Sequence, residues 1–189
     1  MRIAALIGFV VGTSGVLGTT RATERQHAIQ VWVDSRFSNH ERDEIRQGIA
    51  IWNEALRGQL TFYVASENVA RPGSNATVEL SNLLVRGITV DRETTHQDAR
   101  YLAWTGELGA TDVHVIPKRI PAQGCPDLQM RWIVAHEIGH VLGIEHVRSR
   151  SLMGEHCDVM TACVDSLTLD LAAHQQGLDR SRMSPGCSP

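Results

Sequence analysis

The sequence predicts an α+β fold: one domain with five strands and three helices in the order β-α-β-β-β-β-α-α. Three observations predict it. Apolar and polar residues alternate in HAIQVWVDS, residues 27–35, which is the period of a half-buried strand. Ile45, Ile49, Trp52 and Leu56 then recur at helical spacing. Further on, HEIGHVLGIEH, residues 136–146, sets two histidines four apart, the interval that brings side chains to one face of a helix.

The remaining elements follow from local signals. Phe37-Ser38-Asn39 reads as a turn and cap for a helix over 41–57, which Gly58 ends. LTFYVA at 60–65 is a second strand, and 66–76 a loop carrying Pro72, Gly73 and Asn75. Residues 77–90 hold one or two strands, and the charged stretch 91–100 reads as exposed loop. Residues 101–104 and 111–116 are two further strands, joined through Gly106 and Gly109. A connecting loop over 117–127, with Asp127 as a candidate cap, leads into a helix over 128–142 with Trp132, Ile133 and Leu142 as core candidates. Asp165 or Ser166 caps the last helix, which runs to about Gln176 and is closed by Gly177.

Composition narrows the function. A chain of 189 residues, 42% hydrophobic and 21% charged, suits one globular domain, and a formal charge of -3 with no basic patch points away from nucleic acid. Residues 1–22 begin with one arginine, continue as an apolar run and end in small and polar residues, with Thr20-Arg21-Ala22 as a cleavage site. They read as a secretory signal peptide, leaving 23–189 as the mature domain. A membrane anchor is disfavoured because Gly12, Thr13, Ser14 and Gly15 interrupt the run short of the roughly 20 apolar residues a span needs. Only a few residues separate this segment from the first strand, so no inhibitory pro-segment is expected. An exported monomer is the expectation. Four cysteines fit export and suggest two disulfides with three possible pairings. The expected pairing is Cys157 with Cys163 and Cys125 with Cys187.

The histidine segment carries the chemistry. His136 and His140 reach one metal ion from one helix face, while Glu137, rotated about 100° around the helix, stands beside that ion. His146 lies about 9 Å further along a straight helix and joins only if the chain turns. Gly143 supplies the turn, since glycine adopts positive φ at little cost. Three neutral nitrogens leave a tetrahedral zinc with one open position, as in catalytic sites.

These five positions, followed by Ser151-Leu152-Met153, resemble the metzincin signature HExxHxxGxxH with its Met-turn, and HEIGHVLGIEH is most similar to the matrixin branch. The resemblance implies a zincin-like α+β fold: a twisted mixed five-stranded sheet with two helices, a zinc helix at the cleft, and a small C-terminal subdomain with one helix. It implies a secreted zinc-dependent endopeptidase that uses a zinc-activated water, with His136, His140 and His146 as ligands and Glu137 as general base. Met153 is the Met-turn floor under the zinc. Tyr101, Leu102, Ala103 and Trp104 are the candidate strand that pairs with a polypeptide substrate, and 154–164 walls the main specificity pocket. The alternatives are a non-proteolytic binding protein on the same scaffold, or a zinc amidase.

The chain departs from matrixins in places. Gly154-Glu155-His156-Cys157 follows the methionine where matrixins usually carry a tyrosine or similar residue and a proline. His96-Gln97-Asp98 and His114 echo the matrixin second-zinc motif, but Trp104 stands where its middle histidine belongs, and ordinary surface and strand residues are the preferred reading. Calcium is a low-ranked candidate near Asp91, Glu93, Asp98 and Asp112, without a spaced motif behind it. Asn75-Ala76-Thr77 is a glycosylation sequon that matters only in a eukaryotic source.

Overall fold

Alternation in the first strand, β1 (His27–Asp34), turns Ile29, Val31 and Val33 into the core, all at or below 3% exposure. A computed structural model describes residues 27–69, 87–97, 101–106, 108–122, 129–156 and 158–187. Helix α1 (Asn39–Leu56) begins at a capping box: the Ser38 hydroxyl accepts from the Glu41 backbone N–H, and the Glu41 carboxylate accepts from the Ser38 N–H. It ends at Arg57 in the left-handed region (φ 49°), followed by Gly58 at φ 77°. Ile45, Ile49, Trp52 and Leu56 are all buried, as their spacing predicts.

Strand β2 (Leu60–Val69) pairs parallel with β1 on one side, and β3 (Gly87–Arg92) pairs parallel with β1 on the other. Strand β5 (Asp112–Val115) extends the sheet parallel to β3, and β4 (Ala103–Thr105) closes it antiparallel to β5. The spatial order is β2-β1-β3-β5-β4, so the sheet is mixed and five-stranded. Strand β4 stands at one end of that order, paired only through β5 among the described residues.

Helix α2 (Met130–Val141) packs against α1 and beneath β4 and β5. Its N-cap, Gln129, makes no side-chain cap bond; Glu44 from α1 accepts from the Arg131 N–H instead, and the Trp52 indole N–H donates to the Ala135 carbonyl at 2.7 Å. Helix α3 (Ser166–Gln176) is capped by Asp165 and stopped by Gly177 at φ 64°. One apolar cluster runs from the sheet through α1 and α2 to Leu169, Ala172 and Met183.

Several expectations need correction. The strand expected over 101–104 is Ala103–Thr105, so Tyr101 and Leu102 precede it and Thr105 belongs to it. The charged stretch expected as loop begins inside β3, which runs to Arg92 because Asp91 pairs across to His114 in the β5 ladder. Part of the expected connecting loop is a 3-10 turn, Pro117–Ala122. Cys163 is bonded to Cys187, with Cα atoms 5.4 Å apart, so neither expected pairing is made. The closing segment 183–187 folds back beside Val164, where the Gly186 N–H donates to the Val164 carbonyl, and this juxtaposition was not readable from spacing. Residues 1–26, Asn75-Ala76-Thr77, Asp98, Cys125, Asp127 and Cys157 lie outside the described residues.

Candidate metal centre

Three imidazoles converge. The Nε2 atoms of His136 and His140 are 3.1 Å apart, those of His136 and His146 3.1 Å, and those of His140 and His146 3.2 Å. Helix α2 delivers the first two. The third arrives because the helix stops at Leu142 and Gly143 turns at φ 83°, with the Gly143 and Ile144 N–H groups donating to the His140 and Gly139 carbonyls. The turn expected at Gly143 is present, and it brings His146 to the other two rings. Among the described residues this triad is the only cluster of three or more His, Cys, Asp or Glu able to hold a metal.

The proton positions decide what the triangle can bind. The His136 Nδ1 lies 2.8 Å from the Leu152 carbonyl and the His140 Nδ1 2.7 Å from the Ile144 carbonyl. A carbonyl only accepts, so each Nδ1 carries the proton and each Nε2 presents a lone pair. Burial is the main cause that lowers the pKa of both rings, His136 to about 3, with the neighbouring imidazoles adding repulsion, so both stay neutral near neutral pH. Bare lone pairs facing each other at 3.1 Å repel unless a cation lies between them. Zinc–imidazole bonds of about 2.0–2.1 Å at tetrahedral angles separate ligand nitrogens by about 3.3–3.4 Å, close to the triangle here. The donor set fits zinc.

Glu137 sits next to His136 on the helix and is 5% exposed. The Thr105 hydroxyl donates to its Oε2 at 2.9 Å, and the Thr105 backbone N–H donates to the same carboxylate. Burial pushes the Glu137 carboxyl up to about 7, against the lowering effect of these two bonds. A carboxyl in that range exchanges protons readily near neutral pH.

Met153 is fully buried at the turn that follows. Its sulfur lies against Gly139, where any side chain would collide with it, and its carbonyl accepts from the Val147 N–H at 2.9 Å. The turn is pinned from below: one Asp165 carboxylate oxygen accepts from the Ser151 hydroxyl at 2.7 Å and from the Leu152 N–H at 2.9 Å. Thr105, Gly139 and this role of Asp165 were missed at the level of sequence. Only Asp165 left a signal, as the expected cap of α3.

The substrate-strand candidates separate. Ala103 is buried, while Trp104 turns to the opposite sheet face and stacks on His114 with ring centroids 4.8 Å apart. His96 packs on the Trp104 ring at 4.5 Å and on Tyr101 at 4.6 Å, which keeps the indole between the two histidines of the second-zinc echo. Asp112 accepts from the Thr89 hydroxyl at 2.7 Å.

No protein-family model matches this chain, and neither does any curated protein. Solved structures do match. An archaemetzincin from Methanopyrus kandleri aligns over 84% of this chain and 99% of its own, with a TM-score of 0.56 and 12% identity. A hatching-enzyme zinc protease from the medaka fish Oryzias latipes, high choriolytic enzyme 1, aligns over 65% of this chain and 47% of its own, with a TM-score of 0.36 and 21% identity. The first alignment shows the fold: the chain has a metzincin-like, zincin-type α+β fold, and it carries a three-histidine cluster.

Proposed function

We propose that this protein is a zinc-dependent endopeptidase of the metzincin kind, exported by way of residues 1–22. The observation that carries the reading is the convergence of three histidine Nε2 atoms beside a buried glutamate that is bonded to the edge strand above it. The spelling HEIGHVLGIEH supports the matrixin branch within that class.

His136, His140 and His146 would hold the ion. Bound there, zinc supplies a Lewis acid that makes water acidic near neutral pH. The rest falls to the chain. Strand β4, at one end of the sheet, would take an extended polypeptide by backbone pairing, a mode that tolerates many side chains. Glu137 accepts a proton from the attacking water at a carboxylate oxygen and returns it to the leaving amine.

Digestion of casein by the purified protein tests the proposal. Cleavage is expected, stopped by a chelator and restored by zinc. Glu137→Gln is expected to bind one zinc per chain yet lose about 10²–10⁴-fold in rate. Zinc binding without cleavage of any polypeptide by the native chain refutes the endopeptidase reading.

A further inference from the structure

Strand β4 reaches Glu137 through one residue, whose hydroxyl and backbone N–H both donate to the carboxylate: Thr105. Side chains alternate along β4: Ala103 and Thr105 share one face, and Trp104 takes the other to stack on His114. That alternation aims the Thr105 hydroxyl at the carboxylate on α2. Among the described residues, no other side chain hydrogen-bonds Glu137.

We propose that Thr105 is a positioning residue for Glu137: its hydroxyl, at 2.9 Å from Oε2, holds the carboxylate in one orientation and ties it to the strand on which a polypeptide would pair. A glutamate has three side-chain torsions, and a buried one without a partner is free to take several rotamers. A donor from the neighbouring strand selects one. The backbone N–H of the same residue strengthens the hold, so a shift of β4 on substrate pairing moves the base with it. The effect belongs in turnover rather than affinity, since substrate contacts on the backbone of β4 do not need the hydroxyl.

This inference rests on the reading of Glu137 as the general base, so the test has one arm that depends on it and one that does not. The variants are Thr105→Val, which removes the hydroxyl at nearly constant volume, and Thr105→Ser, which keeps it. In the zinc-loaded protein, Thr105→Val is expected to lose about 10–100-fold in kcat with KM within about twofold, and Thr105→Ser to stay near the native rate. Zinc stoichiometry and melting temperature should be those of the native protein in both. In the second arm, infrared spectra of the zinc-free protein identify the Glu137 carboxylate band as the one lost in Glu137→Gln. That band should move in Thr105→Val and hold in Thr105→Ser. The proposal is overturned if Thr105→Val keeps its kcat, loses zinc in parallel with activity, or leaves the carboxylate band in place. A native chain that cleaves nothing, with the band still moved in Thr105→Val, sinks the peptidase reading and leaves the contact standing.

Discussion

Asp165→Ala is the perturbation with the widest expected effect outside the metal centre. The native carboxylate accepts four bonds: from the Thr168 N–H at 2.9 Å, the Thr168 hydroxyl at 2.8 Å, the Leu152 N–H at 2.9 Å and the Ser151 hydroxyl at 2.7 Å. The first is the α3 N-cap, worth about 1 kcal/mol. Removing the acceptor strands the Leu152 N–H beneath the metal centre, at a cost of about 1–3 kcal/mol. Ser151 and Thr168 are fully buried and spend their hydroxyl hydrogens on the carboxylate, but their oxygens are 2.8 Å apart, so in the variant one can donate to the other and the hydroxyls add little. The total is about 3 kcal/mol, equal to a drop of about 6–12 °C in melting temperature for a domain of this size. The loss should reach the metal, because the Leu152 carbonyl accepts from His136; a fall of about 10–100-fold in zinc affinity is expected. Denaturant unfolding and zinc titration measure both. Asp165→Asn should lose less stability, since asparagine still caps. Burial raises the Asp165 carboxyl, but the bonds from Ser151, Thr168 and Leu152 outweigh it and set the folded value below the ordinary 3.8. Stability from this group is therefore whole above about pH 4 and is lost as pH falls through the folded value. That part of the acid limb should vanish in Asp165→Ala. A variant within about 1 kcal/mol of native stability, with unchanged zinc affinity, refutes the pinning argument.

Two further outcomes follow from the same structure. Gly143→Ala places a β-carbon at φ 83°, a strain of about 1–2 kcal/mol, and should cost more in zinc affinity than in melting temperature because the turn delivers His146; calorimetric zinc titration against a thermal melt checks the contrast. Cys163→Ser opens a loop whose cysteines are 24 residues apart, and chain entropy predicts a loss of about 3.5 kcal/mol, read by denaturant unfolding, with zinc content unchanged.

Much of the site was legible in the chain alone. His136, His140 and Glu137 follow from helical geometry, and His146 follows from Gly143, because an α-helix and its glycine stop are local structures whose bonds span four or five residues. The first strand, α1 with its cap at 37–39 and the α3 cap at Asp165 or Ser166 were legible for the same reason, while the reciprocal Ser38–Glu41 capping box was seen only in the structure. Short strands were less so: β4 has only three residues, and its place next to Glu137 is decided by pairing with β5.

What the sequence by itself determined is the layout of the three-histidine cluster: which imidazoles converge, which carboxylate stands beside them, and where the chain turns to make that possible. What only the tertiary structure decided is what supports them. The Thr105 hydroxyl on Glu137, the Leu152 carbonyl on His136, Gly139 against Met153 and the Cys163–Cys187 bond all join residues from separate segments. Periodicity and spacing govern groups within a few turns of one element. Contacts between elements depend on how the sheet, α2 and the closing segment pack, and no interval along the chain encodes them.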